Sequence, residues 1–554
     1  MRFPLPLLVV VLGVPVWAAE PAHARRAMVV TREPHATEIG LQVLQSGGNA
    51  IDAAVAVGFA LAVTHPPAGN LGGGGFLLAR FADGKTTFLD FRERAPQSAT
   101  RDMYLDAAGI PTDASIVGYR AAGVPGTVRG LEYASRKYGR KPWAELVVPA
   151  ERLAANGFPV SYGLAASLRE HYRLLSRFPE SKRIFLRGGR YFEGGEMLVQ
   201  RELAETLGRI GRLGAKDFYE GETARRLAED MARHGGLITQ ADLEAYSVAE
   251  RQPLTGSHRG YSIITAPPPS SGGVGILQML GVLEGSGFEK SGAGSAASLH
   301  IMAEAMRRYF ADRAQFLGDP DFVSVPVKRL LDPRYLTSIR RSIDPNHATP
   351  SDAIRPGDGL PAESSETTHY SIVDSEGNVV AVTYTLNGGY GSGVTATGLG
   401  FLLNNEMDDF AARPGSPNAY GLVQGEANAI QPRKRPLSSM TPTIVLRNGS
   451  FYLVAGTPGG PTIINTVLQV LVNVLDFGMN VQDAVNQPRI HHQWKPDELR
   501  MERGFSPDTI SLLEARGHHI RIVEKMGEVA AILADGGWLH GAADPRTEGT
   551  AQGY

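Results

Sequence analysis

The sequence predicts a layered α+β protein, with strands packed between helices. Three observations carry this. A strand-rich block begins abruptly after residue 366, a hairpin pattern lies at 76–91, and long apolar helical stretches flank both. The 554 residues are 43% hydrophobic and 20% charged, which is ordinary globular composition with ample length for a large core. Length alone suggests three or four domains, a weak guide because large layered enzymes often exceed it.

The elements follow in order. Arg2 precedes an apolar stretch, Phe3 to Trp17, and Ala-rich sequence. This reads as a signal peptide spanning 1–24, with cleavage after Ala18 or Ala24. The run is shorter than the roughly 20 residues of a spanning helix, and Pro4, Pro6 and Pro15 interrupt it. No other segment is long and apolar enough to span a bilayer, so the chain reads as exported, periplasmic or secreted.

Residues 36–63 read as two helices divided by Gly47-Gly48, the second rich in Ala and Val. A glycine-rich loop follows at 69–75, then a hairpin, Phe76 to Phe81 and Thr86 to Phe91, around Asp83-Gly84. Residues 124–245 show mostly helical periodicity, and 298–317 a long amphipathic helix. Residues 344–366 are rich in Pro, Ser, Asp and Gly, the composition of a mobile linker. Beyond it come a hairpin from Thr368 to Leu386, another from Thr443 to Val454, and a buried helix from Thr462 to Leu475.

Composition excludes several functions. With 55 basic and 57 acidic residues and no basic block, nothing points to nucleic acid. The absence of cysteine removes disulfides, thiol catalysis and zinc–thiolate sites. Gly84-Lys85-Thr86 lacks the glycine a phosphate loop requires at Ala79, and the glycines of 69–75 follow a helix instead of a strand. No Gly-x-Ser-x-Gly elbow occurs. His491-His492 would face opposite ways in a strand, which argues against a metal. No cofactor is implied.

Glu366-Thr367-Thr368-His369 is the segment that carries chemistry. A cut before Thr367 would give that threonine a free α-amine beside its own hydroxyl. Such an amine has a pKa of about 7.7–8.0, so near neutral pH a useful fraction can accept a proton. Threonine with its own N-terminal amine is a known nucleophile–base pair. Taken alone, a threonine pair after a linker is a weak signal.

From the linker onward the chain resembles the γ-glutamyltranspeptidases, a family of self-processing N-terminal nucleophile hydrolases. The matching stretches include Thr367-Thr368-His369-Tyr370-Ser371, Val382 to Asn387, Leu402 to Phe410, Arg435 to Thr443, Gly456-Thr457-Pro458-Gly459-Gly460 and Asp544-Pro545-Arg546. Upstream, Thr64-His65-Pro66, Gly69 to Gly75, Phe91 to Pro96 and Pro267 to Gly273 match as well. The resemblance covers nearly everything after the signal. It implies a four-layer αββα sandwich built jointly by a large subunit, 25–366, and a small catalytic subunit, 367–554, cut at Glu366–Thr367 into a heterodimer.

The resemblance also implies roles. Thr367 is the nucleophile, Thr385 a second threonine orienting it, and Gly459 and Gly460 the oxyanion hole. Arg92, Ser438 and Ser439 match the residues that hold the donor's α-carboxylate. Asn387, Glu406 and Asp409 match those that hold its ammonium, and Tyr420 matches a lid tyrosine. Without the family, Arg92 would read as a surface or ion-paired arginine, Thr385 as a plain strand threonine, 406–409 as a solvated acidic loop, Ser438-Ser439 as a polar turn and Gly459-Gly460 as a helix start.

The implied reaction moves the γ-glutamyl group of glutathione and related γ-glutamyl compounds to water, amino acids or peptides, through an ester on Thr367. Two rivals remain. One is a cephalosporin (glutaryl) acylase of the same fold, whose donor carries no ammonium and so has no use for Asn387, Glu406 and Asp409 together. The other is an inactive surface paralogue, against which Thr367, Thr385, Gly459 and Gly460 all stand intact. The base for self-cleavage is not visible in the sequence.

Overall fold

A computed structural model of the chain describes residues 19–187, 189–354, 366–413 and 425–554. Two seven-stranded antiparallel sheets form its centre. In one, the order is 550–553, 28–31, 366–373, 379–387, 74–80, 86–90 and 249–251. In the other it is 22–24, 538–543, 530–535, 450–456, 443–447, 261–265 and 254–258. Each sheet draws strands from both sides of residue 367, so a cut there would leave two chains sharing both sheets.

The strand period explains the layering. Along Val379–Asn387 every residue is buried, so neither face meets water. Val380 and Val382 pack into one apolar cluster with helices Ala50–Thr64 and Trp143–Asn156. Val379 and Ala381 point the other way, into a cluster with Ile264, Val454 and Ile532 of the second sheet. That sheet is covered in turn by helices Gly272–Leu283, Ala296–Phe316 and Thr462–Leu475. The result is the αββα sandwich that the resemblance implies.

Helix Ala50–Thr64 is buried at every position, and an Asn49–Asp52 capping box satisfies its first N–H groups. Helix Ala296–Phe316 departs from expectation. It is not amphipathic, because Glu304, Arg307, Arg308, Asp312 and Arg313 are buried along with its apolar residues. Its charges are compensated internally, with Glu304 paired to both Arg307 and Arg308. His491 and His492 are also buried, where Asn465 Nδ2 lies 2.8 Å from His491 Nδ1 and Asp497 3.3 Å from His492 Nε2.

Candidate active site

Thr367 is the second residue of strand Glu366–Val373. Glu366 pairs with Asn387 and Thr368 with Tyr384, so a bulge falls at Thr367. Bulges often re-aim a side chain beside a reactive site. The Thr367 hydroxyl, almost wholly buried, points at Thr385 Oγ1 at 3.4 Å. Thr385 Oγ1 also accepts the Asn387 N–H at 2.8 Å. Asn387 itself has a positive φ of 74° and ties its side-chain amide to Asn405 O at 3.0 Å.

Glu406 and Asp409 are brought together with Arg92, although the sequence reading assigned them to opposite ends of a ligand. Residues Glu406–Asp409 form a short, fully buried 3₁₀ turn, so the solvated-loop alternative fails. Arg92, 1% exposed, ion-pairs with both Glu406 and Asp409. It also donates to Pro436 O (3.3 Å) and Leu437 O (3.2 Å), immediately before Ser438 and Ser439. Glu93 is fully buried with Arg92 Nη1 3.7 Å away. Burial pushes its carboxyl up to about 7 against the opposing pull of Arg92. Burial likewise raises Asp408 to about 6, opposed by a hydrogen bond from Ser115.

Ser438 and Ser439 lie in an extended segment beside Pro269 and Ser270, to which Ser438 forms a parallel bridge. Gly459 and Gly460 precede helix Thr462–Leu475 with φ of 133° and 56°. Among the described residues neither donates its N–H to a protein acceptor, which suits an oxyanion hole at a helix N-terminus. A Cβ on Gly459 would lie 2.4 Å from Thr462 Oγ1, so glycine is required there. Tyr420 lies outside the described residues.

Residues unnoticed in the sequence also serve this region. Asn428 donates to Asp409 O (2.6 Å) and accepts from Leu437 N (3.0 Å), coupling the acidic turn to the serine segment. Arg313 reaches Ser439 from helix Ala296–Phe316. Neither belongs to a motif quoted above, and only tertiary packing brings them in.

The family model described as gamma-glutamyltranspeptidase matches residues 36–554. The chain belongs to the gamma-glutamyltranspeptidase family. It is similar to the glutathione hydrolase proenzyme of Escherichia coli (strain K12), 52% identical over 530 residues, 95% of this chain and 91% of that protein. It is also similar to the solved gamma-glutamyltranspeptidase of Helicobacter pylori, 46% identical with a TM-score of 0.59 over 62% of this chain and 97% of that one. The cephalosporin acylase of Bacillus halodurans superposes with a TM-score of 0.86 at 28% identity, covering 99% of both chains. The fold is thus common to transpeptidase and acylase, and identity to the Escherichia coli glutathione hydrolase, 52%, exceeds the 39% to the Acylase ACY 1 proenzyme of Pseudomonas sp. (strain SE83).

Proposed function

We propose that this gamma-glutamyltranspeptidase is an exported proenzyme that cuts itself at Glu366–Thr367 and then transfers γ-glutamyl groups from glutathione-type donors to water or to amino acids and peptides. The observation that carries the reading is the Thr367 hydroxyl, buried at a strand bulge beside Thr385 at 3.4 Å. Membership of a family whose relatives include glutathione hydrolase proenzymes supports the assignment.

In self-cleavage the Thr367 hydroxyl attacks the Glu366 carbonyl carbon, the C–N bond breaks, and the resulting ester is hydrolysed to free Thr367. Its new α-amine then takes the hydroxyl proton as Thr367 attacks the γ-carbonyl of the donor. The N–H groups of Gly459 and Gly460 receive the oxyanion. The leaving amine departs with the proton, and water or an acceptor amine attacks the γ-glutamyl ester to regenerate the hydroxyl. Arg92, Ser438 and Ser439 hold the donor's α-carboxylate, and Asn387, Glu406 and Asp409 its ammonium. Arg92 pairs with the two acids. A zwitterionic donor replaces that pairing charge for charge, carboxylate to Arg92 and ammonium to the acids. An acylase donor without ammonium brings no cation for these acids.

Export rests on the apolar N-terminal stretch. Among the described residues no helix is long and apolar enough to cross a membrane. Signal cleavage after Ala18 fits better than after Ala24, because Ala22–Ala24 pairs with Leu539 to Gly541 and Ala19 N donates to Asp483 at 3.0 Å.

The test is anilide release from a γ-glutamyl anilide, with the α-linked isomer as control, alongside the intact mass. Release from the γ isomer alone by a two-chain protein is expected. A two-chain protein that releases neither, yet hydrolyses a glutaryl amide, would overturn the donor assignment in favour of an acylase.

A further inference from the structure

Arg313 is 2% exposed, near the end of helix Ala296–Phe316. Its Nε donates to Ser271 Oγ at 2.9 Å and its Nη2 to Ser439 Oγ at 3.2 Å. The Ser271 hydroxyl donates onward to Ser438 O at 2.7 Å, and the Ser271 N–H to the same carbonyl at 2.6 Å. Tyr309, one turn earlier on the helix, donates to Ser271 O at 2.8 Å and fixes the relay from behind. Arg92 holds Pro436 O and Leu437 O. The segment 436–439 is therefore gripped by two buried arginines from different elements, and only Arg92 lies in a sequence motif.

The chemistry of these contacts is directional. A guanidinium carries five N–H donors and no acceptor. Ser439 Oγ must accept from Arg313, which leaves the serine's own hydrogen to point elsewhere. Ser438 Oγ similarly accepts the Met440 N–H at 3.2 Å. Among the described residues neither hydroxyl has an acceptor for its own hydrogen. Both are thus presented as donors, which is what a carboxylate ligand needs, and the cation behind Ser439 polarises that hydroxyl into a stronger donor.

We propose that Arg313 is a positioning residue for donor recognition: it fixes the Ser439 hydroxyl, with its hydrogen directed to the donor's α-carboxylate. This rests on the reading of Ser438 and Ser439 as carboxylate-binding residues. Arg313 acts through Ser439, so its contribution disappears when the Ser439 hydroxyl is removed.

The experiment is a double-mutant cycle on the self-cut enzyme: wild type, R313Q, S439A and R313Q/S439A, with kcat and KM measured on a γ-glutamyl anilide. Each single variant is expected to raise KM about tenfold, the typical weight of a hydrogen bond to a charged group, with kcat changed less than about threefold. The double variant should fall within about twofold of S439A. Effects that multiply, or an unchanged KM in R313Q, overturn the proposal. If melting or mass shows that R313Q neither folds nor cuts itself, the cycle is run with R313K, which keeps the charge and loses the two-pronged fork. The same non-additivity is expected, and multiplication again overturns it. An unchanged KM in S439A would instead remove the carboxylate assignment of Ser439 on which the proposal stands, while γ-specific anilide release by the wild type stayed intact.

Discussion

Thr385 Oγ1 lies 3.4 Å from Thr367 Oγ1 and 2.8 Å from the backbone nitrogen of Asn387. One hydroxyl on a neighbouring strand therefore connects the proposed nucleophile to a residue assigned to the donor's ammonium. Thr367→Ala should give a single uncut chain without anilide release, seen directly by intact mass. Thr385→Val keeps the shape but removes the hydroxyl, and should slow both self-cutting and turnover by roughly 10- to 100-fold, with Thr385→Ser largely restoring them. A fully active Thr385→Val enzyme would show that the contact does not matter.

Asp409 ion-pairs with Arg92 and faces the donor's ammonium in the proposed complex. Asp409→Asn should raise the donor KM by about 10- to 100-fold, from the loss of a charge-assisted contact. Self-cutting, which involves no ammonium, should proceed normally. Arg92→Met is a harsher change, since it removes a buried cation that pairs with Glu406 and Asp409 and lies beside Glu93. It should destabilise the fold by about 3–5 kcal/mol, read as a large drop in melting temperature.

Glu93 provides a pH test with a defined sign. Its carboxyl is raised from 4.5 to about 7 in the folded protein. An acid with a raised folded pKa costs no stability below its unfolded pKa. Stability is then lost as pH rises from about 4.5 to about 7, by up to about 3 kcal/mol. Glu93→Gln should therefore gain in melting temperature relative to wild type between pH 5 and pH 8. A difference that does not change with pH would contradict the raised value.

Gly459 adopts φ 133° and leaves no room for a Cβ beside Thr462 Oγ1. Gly459→Ala should move the N–H groups of the oxyanion hole and lower kcat by about 100-fold or more, with a smaller effect on donor KM. A kcat within threefold of wild type would exclude these glycines as oxyanion donors.

N-terminal sequencing of the exported protein distinguishes the two signal sites. Ala19 is expected as the first residue, since its nitrogen, then an ammonium, meets Asp483 Oδ1. Starting at Arg25 would strip strand Ala22–Ala24 from the sheet edge.

The periodic elements and the chemical vocabulary are local properties and could be read along the chain. Apolar runs such as Val379 to Leu386 and Thr462 to Leu475 read correctly because strand and helix periods are local properties of the chain. Thr367, Arg92 and the Gly459-Gly460 pair stood out as candidates because they sit in contiguous, family-like motifs. What only the tertiary structure decided is non-local. Helix Ala296–Phe316 looked half-exposed because its charges alternate with apolar residues, yet they are buried: Glu304 neutralises Arg307 and Arg308 within the helix, and Asp497 reaches Arg307 from a distant segment. Glu406 and Asp409 belong against Arg92, more than 300 residues earlier, and Arg313 against Ser439, 126 residues later. A buried charge is stable only where a partner compensates it, and sequence spacing carries no record of which distant partner the fold will supply.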